Sequence, residues 1–148
     1  MANFAKELIS RLNYLETYRK YWNTHYQELA DYMLPEKSDI VRKRSRGEKR
    51  TELIFDGTAL QAVDLLSSAL HGMLTSGATS WFHLDMKDED VGRDDEVKEW
   101  LQSSSHSMMR AFNRSNFETE VHGMYVDLVV FGTACMFVEI DDKQLRFS

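Results

Sequence analysis

The sequence predicts a mainly α-helical fold with a small β element, an α+β protein built on long amphipathic helices. Three observations carry this. Apolar side chains recur at steps of three and four through most of the chain, the period of a helix with one buried face. Proline occurs once, at Pro35, so long stretches contain no breaker. Runs rich in β-prone residues are confined to a short strand candidate at 81–86 and a C-terminal hairpin candidate after 134. With 148 residues and 43% hydrophobic content, the chain has the length of one ordinary domain and enough apolar surface to bury a core.

The opening stretch "FAKELISRLNYLETYRKYWNTHYQELADYML" reads as one helix roughly 45 Å long, at 1.5 Å per residue. Phe4, Leu8, Leu12, Leu15, Tyr18, Trp22, Tyr26, Leu29 and Met33 form its stripe, and Pro35 stops it. Residues 36–50 carry almost no apolar side chain and are expected to form a basic surface loop. "TELIFDGTALQAVDLLSSALHGMLTSG" restores the helical period. Asp56 or Thr58 suits an N-cap, Leu60, Val63, Leu66 or Leu70, and Met73 suit the buried side, and Gly77 lies past the end. Ala62, Leu65 and Ala69 add a second apolar face, so this helix is expected to be central.

"WFHLDM" suits a short strand, and "KDEDVGRDDE" an acidic turn feeding a helix over 95–112. Val97, Trp100, Leu101, Met108 and Phe112 are its expected inner face, and the period runs unbroken through "SSSHS" at 103–107. Asn116 stands where the N-cap of a further helix belongs, with Phe117, Val121, Met124, Tyr125 and Leu128 on one side and Gly132 at the end. "ACMFVEI", the polar turn "DDKQ" and "LRFS" read as a hairpin whose second strand has barely begun when the chain stops, as in a fragment of a longer protein.

Charge is unevenly placed. "VRKRSRGEKR" at 41–50 holds Arg42, Lys43, Arg44, Arg46, Lys49 and Arg50 against Glu48 alone, a local +5 in a chain of net −6, so the remainder carries −11. An acidic body excludes general nucleic-acid binding, yet this stretch admits three readings: a solvated loop, contact with nucleic-acid phosphates, or docking on an acidic protein surface. No aromatic residue is interleaved, which disfavours a base-stacking platform for single strands.

The sequence presents no catalytic, metal or cofactor motif. His83 and Asp85 share a strand face as two ligands might, but no third ligand stands at a telling spacing. "GMLTSG" spaces two glycines as a phosphate loop does, yet lacks the following Lys and follows a helix instead of preceding one. Cys135 is the only cysteine, which excludes an internal disulfide; between Ala134 and Met136 it reads as a small buried thiol. His106 among serines forms no triad, and His25, His71 and His122 have no paired carboxylate pattern. No run reaches membrane-spanning length and no basic-then-apolar leader opens the chain, so a soluble protein without a usual secretion signal is expected.

Five segments, in order, resemble the N-terminal part of the portal proteins of short-tailed bacteriophages, the head-to-tail connecting family. They are "YWNTHYQELADYMLP", then, past the basic loop, "FDGTALQAVDLLSSALHGMLTSGATSWFHL", "VKEWL", "SNF" and "YVDLVVFGTACMFVE". The family's usual proline before the Trp-Phe pair is absent here, since Gly77–Ser80 has none. The resemblance implies that residues 1–148 start the outer, wing-like region of a ring, usually a dodecamer, at one capsid vertex. It implies double-stranded genomic DNA in the channel and a terminase motor, capsid, scaffold and tail or adaptor proteins as partners. It further implies a virion protein assembled in the host cytoplasm, outside any membrane, with no bond chemistry of its own. Pore-lining, stem and terminase-docking portions would lie beyond Ser148.

On that reading the stripe Tyr18, Trp22, Tyr26, Leu29 and Met33 either packs against a neighbouring subunit or closes this subunit's own core. The loop 41–50 meets DNA or an acidic capsid or scaffold partner. The alternative is a small helical adaptor that binds nucleic acid or an acidic protein through the same loop.

Overall fold

The computed structural model of the chain describes residues 2–88, 92, 94–141 and 144–148. It divides into two compact units, Met1–Val63 and Asp64–Ser148. Among the described residues it is mainly helical, with one two-stranded antiparallel sheet, as the periodicity predicts.

In the first unit, helix α1 runs unbroken over Ala2–Met33, 32 residues, or about 48 Å. Leu34 N–H still reaches the Ala30 carbonyl at 3.0 Å; Pro35, with no N–H to offer, then starts a single 3₁₀ turn, Pro35–Lys37. That turn brings Ser38 back against the end of α1, where Ser38 and Ala30 are fully buried. The loop that follows contains a turn in which Glu48 N–H bonds the Ser45 carbonyl at 3.2 Å. Gly47 sits in that turn at φ +85°, a left-handed conformation a Cβ would strain.

Helix α2, Thr58–Leu74, begins in the first unit and continues in the second. The Asp56 carboxylate caps it, Oδ1 accepting from both the backbone N–H and the hydroxyl of Thr58 at 2.6 Å each. Those two bonds, the hydroxyl's first, hold the Asp56 carboxyl below its ordinary value. The expectation of a central helix buried on several faces is corrected. Burial follows one line, Val63 and Ser67, while Leu65 and Met73 are 73% and 82% exposed and Leu66 is half bare. Ala59, Leu60, Leu70 and His71, beside that line, are half-buried.

In the second unit, Asp94 caps helix α3, Asp95–Arg114, accepting from Glu96 N–H at 3.0 Å. Residues 89–91 and 93 of the acidic turn lie outside the described residues. Leu101 and Ser105, one turn apart, are the buried positions of α3; Trp100 and Met108, expected inside, are exposed. The strand expected at 81–86 does not form. Among the described residues no second strand lies alongside it, and the Leu84 N–H is instead satisfied by Ser105 Oγ at 3.0 Å. Trp81 and Phe82 turn inward and join Phe112, Phe117 and Phe147 in one cluster of rings, with Trp81 stacked on Phe117 at 9° and Phe112 4.9 Å from Phe117.

Helix α4, Phe117–Phe131, buries Val121, Tyr125 and Val130. Gly132 ends it at φ +69°, its N–H returning to the Leu128 carbonyl at 2.9 Å. Asn116 stands at the N-cap position but makes no cap. Its amide pairs with the backbone of Phe147, Nδ2 donating at 2.7 Å and Oδ1 accepting at 2.8 Å. Asn116 thus acts as a third-strand surrogate on the edge of the sheet.

The sheet is the expected hairpin, β1 Val138–Asp141 against β2 Gln144–Phe147, with Val138 opposite Phe147. Residues 142 and 143 of the polar turn lie outside the described residues. The first strand starts four residues later than the β-rich run, so Cys135 precedes the ladder and is exposed, not the buried thiol expected. Among the described residues no helix is long and apolar enough to cross a membrane.

Candidate functional site

The basic stretch is where the first unit concentrates its polar order. Gln27, one turn before Asp31 on α1, is buried, and its side chain organises the chain that returns past it. Gln27 Oε1 accepts three successive backbone N–H groups, those of Ile40, Val41 and Arg42, at 3.1, 2.8 and 3.1 Å. Its Nε2 donates to Asp31 Oδ1 at 3.0 Å and to the Ser38 carbonyl. Three amides converging on one oxygen form a concave nest, here filled by the protein's own amide.

Arg44 closes the arrangement. Its side chain is only 6% exposed and lies 2.9 Å from Asp31 Oδ1, also donating to the Ser38 hydroxyl at 2.6 Å, the Ser38 carbonyl at 3.0 Å and Asp39 Oδ1 at 3.3 Å. The Asp31 bond is the main reason the guanidinium is held above its ordinary pKa; burial opposes it and Asp39 adds to it. Arg44 therefore stays charged at every working pH. Arg50 reaches back similarly, to the Glu36 carbonyl at 3.0 Å and to Asp39 Oδ2.

The six basic residues singled out in the sequence thus fall into two sets. Arg44 holds the loop to the end of α1, and Arg50 holds it to the 3₁₀ turn and to Asp39. Arg42, Lys43, Arg46 and Lys49 are exposed, and their side chains have no hydrogen-bonding or ionic partner among the described residues. Sequence reasoning missed Gln27, Asp31 and Ser38. The one available signal was Gln27 and Asp31 at i, i+4, which on a long charged helix looks like an ordinary solvent pair.

The second candidate surface lies on α1. Tyr18 is 71% and Trp22 54% exposed, whereas Tyr26, Leu29 and Met33, nearer the clamp, are half-buried. Trp22 leans on Tyr26 with ring centres 6.0 Å apart, and the Arg19 guanidinium lies 5.7 Å from the Tyr26 ring centre. In the second unit His83, Asp85 and His106 border an open cleft of about 350 Å³ together with Lys98 and Gln102. Among the described residues no three His, Cys, Asp or Glu side chains come together to hold a metal ion.

The model of the family described as bacteriophage head to tail connecting protein matches residues 5–148. A probable portal protein of Bordetella phage BPP-1 is 37% identical over 134 residues, covering 90% of this chain and 24% of its own length. A portal protein of Salmonella phage epsilon15 is 33% identical over 147 residues, covering 98% of this chain and 26% of its own. The chain therefore spans about a quarter of the length of these relatives. A family match from residue 5 to residue 148, with about a third of positions shared with each relative, assigns it: the chain belongs to the bacteriophage head-to-tail connecting protein family.

Proposed function

We propose that residues 1–148 form the N-terminal, wing-like part of a structural connector subunit, one of a ring at a capsid vertex. Double-stranded DNA passes through that ring in packaging and ejection, and the tail attaches to it. The capsid, its scaffold, a terminase motor and tail proteins are the partners of this reading, the virion is its location, and its work is mechanical, without catalysis.

The observation that carries it is the bare stripe of α1. Phe4, Leu8, Leu12, Leu15, Tyr18 and Trp22 are each at least half exposed along one rod. Apolar faces of that length are rare on a subunit that works alone. A closed ring needs heterologous faces, in which one surface of each copy meets a different surface of the next, and a stiff helix with an uncovered stripe supplies one of them. The net acidic body suits a conduit, since broadly basic walls would hold DNA in place.

Sedimentation velocity of the purified protein tests the stripe. Replacing Tyr18 and Trp22 by alanine is expected to abolish large closed assemblies while the helical circular dichroism signal is retained. Rings that persist in this variant would remove the stripe from the interface. A wild-type protein that remains a stable monomer and binds a partner through 41–50 would favour the adaptor reading instead.

A further inference from the structure

The loop after α1 is not a floppy basic tail. Between Ser38 and Arg50 its backbone is tied to α1 and to the 3₁₀ turn by Gln27, Arg44 and Arg50, and Gly47 sets its reversal. The fold spends two arginines and three buried polar residues to hold the other four cations in place. Arg42, Lys43, Arg46 and Lys49 then stand within eight consecutive residues, exposed and unpaired among the described residues. Nearby acids are largely engaged: Asp31 and Asp39 by the arginines, and Glu48 by the Ser45 N–H at 3.0 Å.

We infer that this clamped ledge binds the phosphate backbone of duplex DNA, with Arg42, Lys43, Arg46 and Lys49 as the contacts and Gln27 as a positioning residue. Two features select phosphate over an acidic protein. A stable protein interface has an apolar or aromatic centre, whereas the ledge offers only Ile40 and Val41 and no ring. Charge density points the same way. Duplex DNA carries one negative charge per about 1.7 Å of axis, against at most one per about 3.3 Å along an extended acidic peptide. The denser polyanion sets more negative charge within reach of the same four cations. The absence of rings also disfavours single strands, whose affinity rests on base stacking. Contact is with the backbone, so no sequence preference is expected. The inference stands apart from ring assembly: a monomer that carries the ledge should bind.

The test is fluorescence anisotropy with a labelled 20-base-pair duplex, titrated with the full chain across salt concentrations. Four phosphate contacts predict a log–log salt slope of about −3.6, a loss of about a hundredfold in affinity between 50 and 200 mM salt. Replacing Arg42, Lys43, Arg46 and Lys49 together by glutamine is expected to abolish binding with circular dichroism and melting unchanged. Gln27→Met, which keeps all four cations, is expected to weaken binding about tenfold while the salt slope persists, because the ledge must then be ordered by the ligand. Equal affinity for a polyglutamate of 20 residues would overturn the choice of DNA in favour of an acidic protein. Binding that survives in the four-glutamine variant, or no binding to duplex at 50 mM salt, would overturn the ledge itself. Sedimentation of the same samples reports assembly separately, so failure of the ledge and failure of the connector reading are distinguishable.

Discussion

Gln27→Met tests the central structural argument, because methionine nearly matches the shape of glutamine and removes only its polar atoms. In the native protein Gln27 Oε1 takes the N–H groups of Ile40, Val41 and Arg42, and Nε2 donates to Asp31 and Ser38. The losses are unequal. Asp31 and the Ser38 carbonyl keep Arg44 at 2.9 and 3.0 Å, so they are not orphaned. The three amides lose their common acceptor. At a net value of about 1 kcal/mol per hydrogen bond, the loop is loosened by about 3 kcal/mol. Because each 1.4 kcal/mol is tenfold, local opening should become about a hundredfold more frequent. Hydrogen exchange of residues 40–42, read by mass spectrometry or NMR, should accelerate by that factor, with α1 before residue 24 unaffected. Unchanged exchange at 40–42 would mean that Gln27 does not organise the loop. A uniform rise along α1 would mean that the variant destabilises the helix, and the argument for a local clamp would fail.

Other expectations follow from the second unit and from the α2 cap. Phe112 touches four rings, those of Trp81, Phe82, Phe117 and Phe147; Phe112→Ala should cost about 3 kcal/mol in chemical denaturation, the low end for a phenylalanine because its ring is only half-buried. Asn116→Ala removes two bonds to the Phe147 backbone and should cost about 1–2 kcal/mol, with faster exchange of the Phe147 N–H as its local signature. The Asp56 carboxyl is depressed below its ordinary 3.8, so its contribution to stability is present above that value and is lost as pH falls through the lowered one. The Thr58 amide should report this in an NMR pH titration, and Asp56→Asn, which keeps the acceptor without the charge, should flatten the transition.

Much of the fold was legible because helix periodicity and chain punctuation are local. The end of α1 follows from Pro35, which cannot continue the ladder, and the end of α4 from Gly132, which alone adopts φ +69° without strain. The strand at 81–86 failed because β-propensity describes a fit to a neighbouring strand; with none alongside among the described residues, Trp81 and Phe82 went to the ring cluster. Asn116 failed as a cap for a related reason. A better partner, the Phe147 backbone, lies 31 residues away and no local rule reports it. Apolar content also overstated burial: Trp100, Met73 and Tyr18 obey the helical period and still face water, because period says which side is apolar and not whether anything covers it.

The same division runs through the candidate surface. Amino-acid order alone established the long helices, the acidic body, the basic segment at 41–50 and the kinship of five segments with connector proteins. It could not separate six like charges into roles. That decision belongs to the return of the chain after the 3₁₀ turn, which sets Arg44 beside Asp31 and three loop amides around Gln27, pairs 13 to 15 residues apart. A charge becomes a strut or a contact according to what desolvates and pairs it, and only the folded backbone determines which acid each arginine can reach.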